Sequence, residues 1–125
     1  MSYGAVVRSY DEVAEYHSSW EVGATGAHTK TTGVPGKGFL SVARTAAGKY
    51  TVTFTEVPQG PLVELRVIHW SQTGAAPLLT APVDGTYNPT TKTVQYNAWL
   101  SSTLAATEIP SGDRVSIVAV FEKTR

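Results

Sequence analysis

Tyr50, Val52 and Phe54 alternate with Thr51, Thr53 and Thr55, so this segment presents one apolar and one polar face. A period of two requires an extended strand with one side buried, because successive side chains leave a pleated strand in opposite directions. The alternation recurs downstream. Val94, Tyr96 and Ala98 oppose Thr93, Gln95 and Asn97, and Val63, Leu65 and Val67 oppose Glu64, Arg66 and Ile68 within Leu62–Trp70. Arg114–Glu122 carries Val115, Ile117, Ala119 and Phe121 on one face, with Val118 and Val120 apolar on the other. That pattern predicts a central strand covered on both sides or one pressed into a subunit interface. Leu78-Leu79-Thr80 reads as a further short strand.

Between these runs lie Gly, Pro and Asn in turn arrangements. Val57-Pro58-Gln59-Gly60-Pro61 predicts a turn in which Gly60 allows a positive φ. Pro82-Val83-Asp84-Gly85, Asn88-Pro89 and Ile109-Pro110-Ser111-Gly112-Asp113 predict three more, and Ser71–Pro77 a loop around Gly74. Phe39–Arg44 and Tyr50–Thr55 predict a hairpin with a longer connector, Thr45–Lys49, that places Gly48 near its end. Six or seven short strands at near-regular spacing, without alternating helices, predict an all-β sandwich or barrel. The strand pattern is shared by jelly-roll and immunoglobulin-like strand orders, and leaves both open.

The first quarter differs. Ser9-Tyr10-Asp11-Glu12 matches a capping box and allows a short helix to His17. Gly23–Gly38 is rich in Gly, Thr and Ala, with almost no large apolar residue, which predicts an exposed arm or long loop. The expected organisation is therefore an N-terminal arm or loop-rich segment over residues 1–37 and a β-sandwich domain over 38–125.

With 125 residues and no cysteine, the chain is about one domain, held by packing or association rather than by disulfides. Ten Lys and Arg balance ten Asp and Glu, so whole-chain charge provides no electrostatic attraction to nucleic acid or an anionic membrane. The charged fraction of 16% lies below the roughly 25% of an average soluble domain, a weak defence against association. Met1–Arg8 lacks the basic and apolar regions of a signal peptide, and no apolar run approaches the roughly 20 residues that span a bilayer.

His17, His28 and His69 lie in no metal-ligand spacing, and they read as solvent-facing or locally hydrogen-bonded. The ten carboxylates, among them Glu64, Asp84, Glu108 and Asp113, fall mostly in turns or on polar faces. There is no nucleophile elbow, P-loop or zincin motif. No catalytic, cofactor-binding or metal-binding residue is expected, and the chain reads as non-enzymatic. Arg44, Lys49, Tyr50 and Phe54 are the best basic–aromatic group for a nucleic acid, and are ordinary for a hairpin. Trp20, Trp70 and Trp99 suit either a core or a subunit interface, with sugar stacking a third use. Together with Tyr10 they are the candidate interface residues.

Phe39-Leu40-Ser41-Val42-Ala43-Arg44-Thr45-Ala46-Ala47-Gly48-Lys49-Tyr50-Thr51-Val52-Thr53-Phe54 resembles a pattern of small phage structural proteins. In that pattern a strand ends in Arg-Thr and is followed by a Gly turn and Tyr-Thr-Val-Thr. Thr93-Val94-Gln95-Tyr96-Asn97 and Ser111–Phe121 are similar to the ends of such proteins, so about half the chain is covered. The resemblance is to bacteriophage head decoration, or capsid cement, proteins. It implies a jelly-roll-like β-sandwich with an extended N-terminal arm, a virion protein on the capsid surface, made in the host cytoplasm and assembled as dimers or trimers. An arm would clamp the major capsid protein, with neither nucleic acid nor membrane as partner. A head- or tail-fibre domain that binds host glycans is the alternative.

Overall fold

The computed structural model describes residues 13–33, 36–72, 74 and 78–123. Every regular element among them is a strand: β1 (Val13–Val22), β2 (His28–Lys30), β3 (Phe39–Ala46), β4 (Lys49–Phe54), β5 (Leu62–Trp70), β6 (Leu79–Pro82), β7 (Thr93–Trp99) and β8 (Arg114–Glu122). All pairings are antiparallel, in the order β5-β8-β1-β2-β3-β4-β7-β6. The class is all-β, as the alternation predicts. The strands form one sheet curled until its two edges, β5 and β6, nearly meet, so the closure is barrel-like.

The alternating positions become the interior. Tyr50, Val52 and Phe54 of β4, Val94, Tyr96 and Ala98 of β7, and Val115, Ile117, Ala119 and Phe121 of β8 are all buried. Strand β8 lies between β5 and β1 as a central strand, and Val120 on its second face is buried as well. Two bulges shift the phase elsewhere. One at Leu40 lets Phe39 and Val42, three residues apart, both face inward. Another at Val63 turns that residue outward, and the inward set of β5 becomes Leu65, Val67 and His69.

The β3–β4 connection is tighter than expected. Only Ala47 and Gly48 form the turn, and the extra residue is absorbed as a register shift between Arg44 and Ala46. Gly48 has a φ of 71°, and a Cβ there would lie 2.5 Å from the Thr107 nitrogen and 2.8 Å from the Ala98 oxygen, so both conformation and space require glycine. Gly60 is required for a different reason from the one expected. Its φ is not positive, but a Cβ would collide with the backbone of Glu122.

The arm expected over residues 1–37 does not hold for its described part. Strand β1 pairs with β8 through nine register positions and with β2 through three, deep inside the sheet. The helix expected to reach His17 is strand from Val13 onward. The phase of β1 was obscured because a serine occupies one of its inward positions. Ser18 is buried among Tyr16, Trp20 and Val22, donating its hydroxyl to the Ile117 carbonyl at 3.0 Å and accepting the Trp20 indole N–H at 2.7 Å. Within the Gly/Thr/Ala-rich stretch, His28 is a buried residue of β2. Residues 1–12, with Tyr10 and the capping box, lie outside the described residues.

Candidate interaction surface

The three tryptophans separate. Trp20 is 1% exposed and sits in the core, edge-on to Phe39 with centroids 6.1 Å apart. Trp70, at the end of β5, is 47% exposed, and Trp99, at the end of β7, is half-buried. Sequence distance hides how near these two outer residues lie.

The β5–β6 seam brings them to one region. The Leu78 N–H donates to His69 Nδ1 at 2.9 Å, and the Thr80 hydroxyl to the Val67 carbonyl at 2.7 Å. Leu79, between those contacts, therefore lies opposite Ile68, between His69 and Val67. Leu79 also pairs in register with Trp99 of β7. Ile68 and Trp70 from β5, Leu79 from β6 and Trp99 from β7 thus form a continuous apolar belt on the outside of the barrel. Leu100 and Leu104 extend it: of the seven exposed large hydrophobic residues among those described, five gather here. Leu104 is 68% exposed at a φ of 58°, held by its N–H to the Leu100 carbonyl at 2.8 Å. A leucine in the left-handed region is costly and here leaves its side chain in solvent. Leu79, Thr80, Ala81, Trp99 and Leu104 line an open apolar groove of about 400 Å³.

At the β5 end, the Trp70 indole N–H donates to Ser116 Oγ at 2.7 Å, and the Arg114 guanidinium lies 4.7 Å from the ring centroid. Both contacts come from β8, where Arg114 pairs in register with Trp70. A cation over an indole face and a bonded N–H fix the ring's orientation without burying it. Farther along β5, Glu64 and Arg66 form an exposed ion pair at 3.0 Å.

Two buried polar networks lie inside the barrel. His69 Nε2 is 2.6 Å from Asp113 Oδ2, and Asp113 Oδ1 accepts the Gln72 N–H at 3.0 Å. Every polar atom of this pair has an internal partner, so it fastens the start of β8 to the end of β5 and to Leu78 ahead of β6. In the second network, His28 Nδ1 donates to the Gly26 carbonyl at 2.9 Å, and Nε2 accepts the Tyr96 hydroxyl at 2.6 Å. Tyr96 stacks on Tyr50 at 5.0 Å, and the Tyr50 hydroxyl donates to Glu108 at 3.1 Å while accepting the Ile109 N–H at 3.0 Å. Arg44 pairs with Glu108 at 2.7 Å. Burial pushes the Tyr50 phenol up to about 12, raises Tyr96 further, and lowers His28. Tyr87 has a buried hydroxyl with no partner among the described residues, and burial raises it too.

His28 and His69 are hydrogen-bonded core residues, while His17 is exposed and paired with Glu15 at 3.1 Å. The basic–aromatic group Arg44, Lys49, Tyr50 and Phe54 is not one surface, because Tyr50 and Phe54 are interior. The His69–Asp113 pair, 44 residues apart in sequence, escaped sequence reasoning. The available signal was phase: His69 continues the inward series of Leu65 and Val67. No family model, curated protein or solved structure matches this chain.

Proposed function

We propose that this chain is a non-enzymatic virion structural protein that decorates and stabilises a capsid by seating its apolar belt on the major capsid protein lattice. The belt across the β5–β6 seam carries this reading. Indole and leucine side chains are gathered on the outside of a barrel whose interior is already filled. Such surfaces bury well, at roughly 25 cal/mol per Å² of apolar area removed from water. Aromatic anchors ringed by polar groups are the usual centre of a protein interface. The resemblance of the β3–β4 hairpin and the β8 region to capsid cement proteins suggests the setting. Repetition on a lattice lets a small patch suffice, because each contact stabilises the bound shell by mass action.

Glycan binding by a fibre domain is less well supported. Arg114 lies over the Trp70 ring, where a sugar would stack, and the groove beside Trp99 is lined by aliphatic side chains rather than by hydrogen-bonding groups.

Quantitative mass spectrometry of purified virions tests the proposal by the ratio of this chain to the major capsid protein. A copy number commensurate with the lattice supports decoration. A number matching only a vertex or tail points to the fibre reading, and absence from virions refutes both. Leu79→Asp, placed in the belt and away from the core, should abolish adsorption to undecorated capsids while leaving the fold intact.

A further inference from the structure

Strand β1 is flanked along its whole length on one side and along half of it on the other. On the first side β8 pairs with it through an unbroken register from Val13–Glu122 to Glu21–Arg114. On the second side β2 pairs with Trp20, Glu21 and Val22, and the Thr31 N–H then donates to the Ser19 carbonyl at 2.9 Å. Beyond Thr31 the chain turns off the line of β2 at Gly33, whose φ is 83°. A Cβ on Gly33 would meet nothing within 4 Å beyond its chain neighbours, so the turn stands in open space. Ahead of Ser19, no strand pairs with β1 on this side among the described residues.

Strand parity decides which groups face the gap. In an antiparallel strand the N–H and C=O of one residue point to the same side, and successive residues point to opposite sides. The Ser19 carbonyl faces β2, so the N–H and C=O of His17 and Glu15 face the gap, while those of Ala14, Tyr16 and Ser18 face β8. This stretch holds neither a proline nor a bulge, two of the usual means by which a sheet edge is blunted. The Glu15 and His17 side chains stand on the outer face, 51% and 66% exposed. The Glu15 carboxylate meets His17 at 3.1 Å, and no Lys or Arg is paired with it among the described residues. On the inner face between them stands the half-buried Tyr16 ring, 5.2 Å from that of Phe121.

We propose that this edge is a strand-addition site for an extended segment of a partner protein. The segment continues the line of β2 and exchanges backbone hydrogen bonds with Glu15 and His17. Its side chains alternate, so a Lys or Arg lies opposite Glu15 on the outer face and apolar residues lie beside Tyr16 on the inner one. The site is separate from the apolar belt and does not depend on what that belt binds.

The probe is a synthetic peptide of about nine residues, Thr-Val-Thr-Val-Lys-Val-Thr-Val-Thr, titrated into the intact chain and followed by amide NMR and hydrogen exchange. Exchange should slow at Glu15 and His17, whereas the amides of Ala14, Tyr16 and Ser18, already paired with β8, should keep their rates. Replacing the peptide's lysine by glutamate should weaken binding by about fivefold, and Glu15→Lys should reverse that preference. His17→Pro removes an N–H that the peptide needs without touching the β8 ladder, and should abolish binding. If that variant fails to fold, the charge reversal at Glu15 still decides. The proposal is overturned if the Glu15 and His17 amides are already protected in the free chain, which would mean that the chain covers its own edge. It is equally overturned if the response falls on Leu79 and Trp99 instead, if both peptides bind alike, or if no amide responds.

Discussion

Trp20 and Trp70 each donate an indole N–H to a serine hydroxyl at 2.7 Å, from opposite faces of the same sheet. Their register partners on β8, Val115 and Arg114, are consecutive residues. Yet Trp20 is 1% exposed and Trp70 is 47% exposed. The polar end of each ring is satisfied in the same way, so hydrogen bonding does not distinguish them. Strand phase does. Trp20 falls on the inward phase of β1 among Phe39 and the core, whereas Trp70 falls on the outward phase of β5 under a guanidinium. One residue type thus serves stability on one side and remains available for association on the other.

Stability measurements on both sides can break this comparison. Trp20→Ala should have the largest effect, a loss of about 3–5 kcal/mol in urea unfolding, because removing a fully buried indole leaves a large cavity beside Phe39. A loss below about 1 kcal/mol would mean that the interior is not packed around Trp20. Tyr96→Phe comes next, at about 1–3 kcal/mol, since it removes the hydroxyl that donates to buried His28 Nε2 while preserving the ring stack on Tyr50.

Acid should reveal the same network without mutation. The folded-state pKa of His28 is lowered below its ordinary 6.5, so the unfolded chain takes up the proton first. Its contribution is complete above about pH 6.5 and is lost as pH falls toward and through the folded value. The urea midpoint should therefore drop on acidification from neutrality, and His28→Gln should reduce that drop. An equal drop in the variant would assign the effect to another group.

Trp70→Ala should change unfolding least, within about 1 kcal/mol, because the ring is half in solvent and its polar contacts are exposed. On the proposed decorating role, its effect should appear in capsid adsorption. A large stability loss with unchanged adsorption would reverse the roles assigned to the two faces.

How much was legible in the sequence depended on whether local pattern sufficed. The period-two runs of β4, β7 and β8 gave strand, face and class directly, because alternation is a local consequence of the pleat. In β1 the same reasoning failed. Ser18 and Tyr16 occupy inward positions, where distant partners satisfy their polar atoms: the Ser18 hydroxyl donates to the Ile117 carbonyl and the Tyr16 hydroxyl to the Glu56 carbonyl. Bulges at Leu40 and Val63 shifted phase in ways that composition does not announce.

The candidate surface was legible only in part. Trp70 and Trp99 could be named as candidate interface residues from residue type, but Trp20, which the fold buries, could not be separated from them. The sequence by itself determined the all-β class and most of the inward residues, since these follow from alternation and turn chemistry within a few neighbours. Tertiary structure alone decided that β1 and β2 enter the sheet, that edges β5 and β6 approach, and that Ile68, Leu79 and Trp99 meet there. Those outcomes depend on pairing between distant segments, whose free energy comes from packing and from satisfying buried polar groups rather than from local preference.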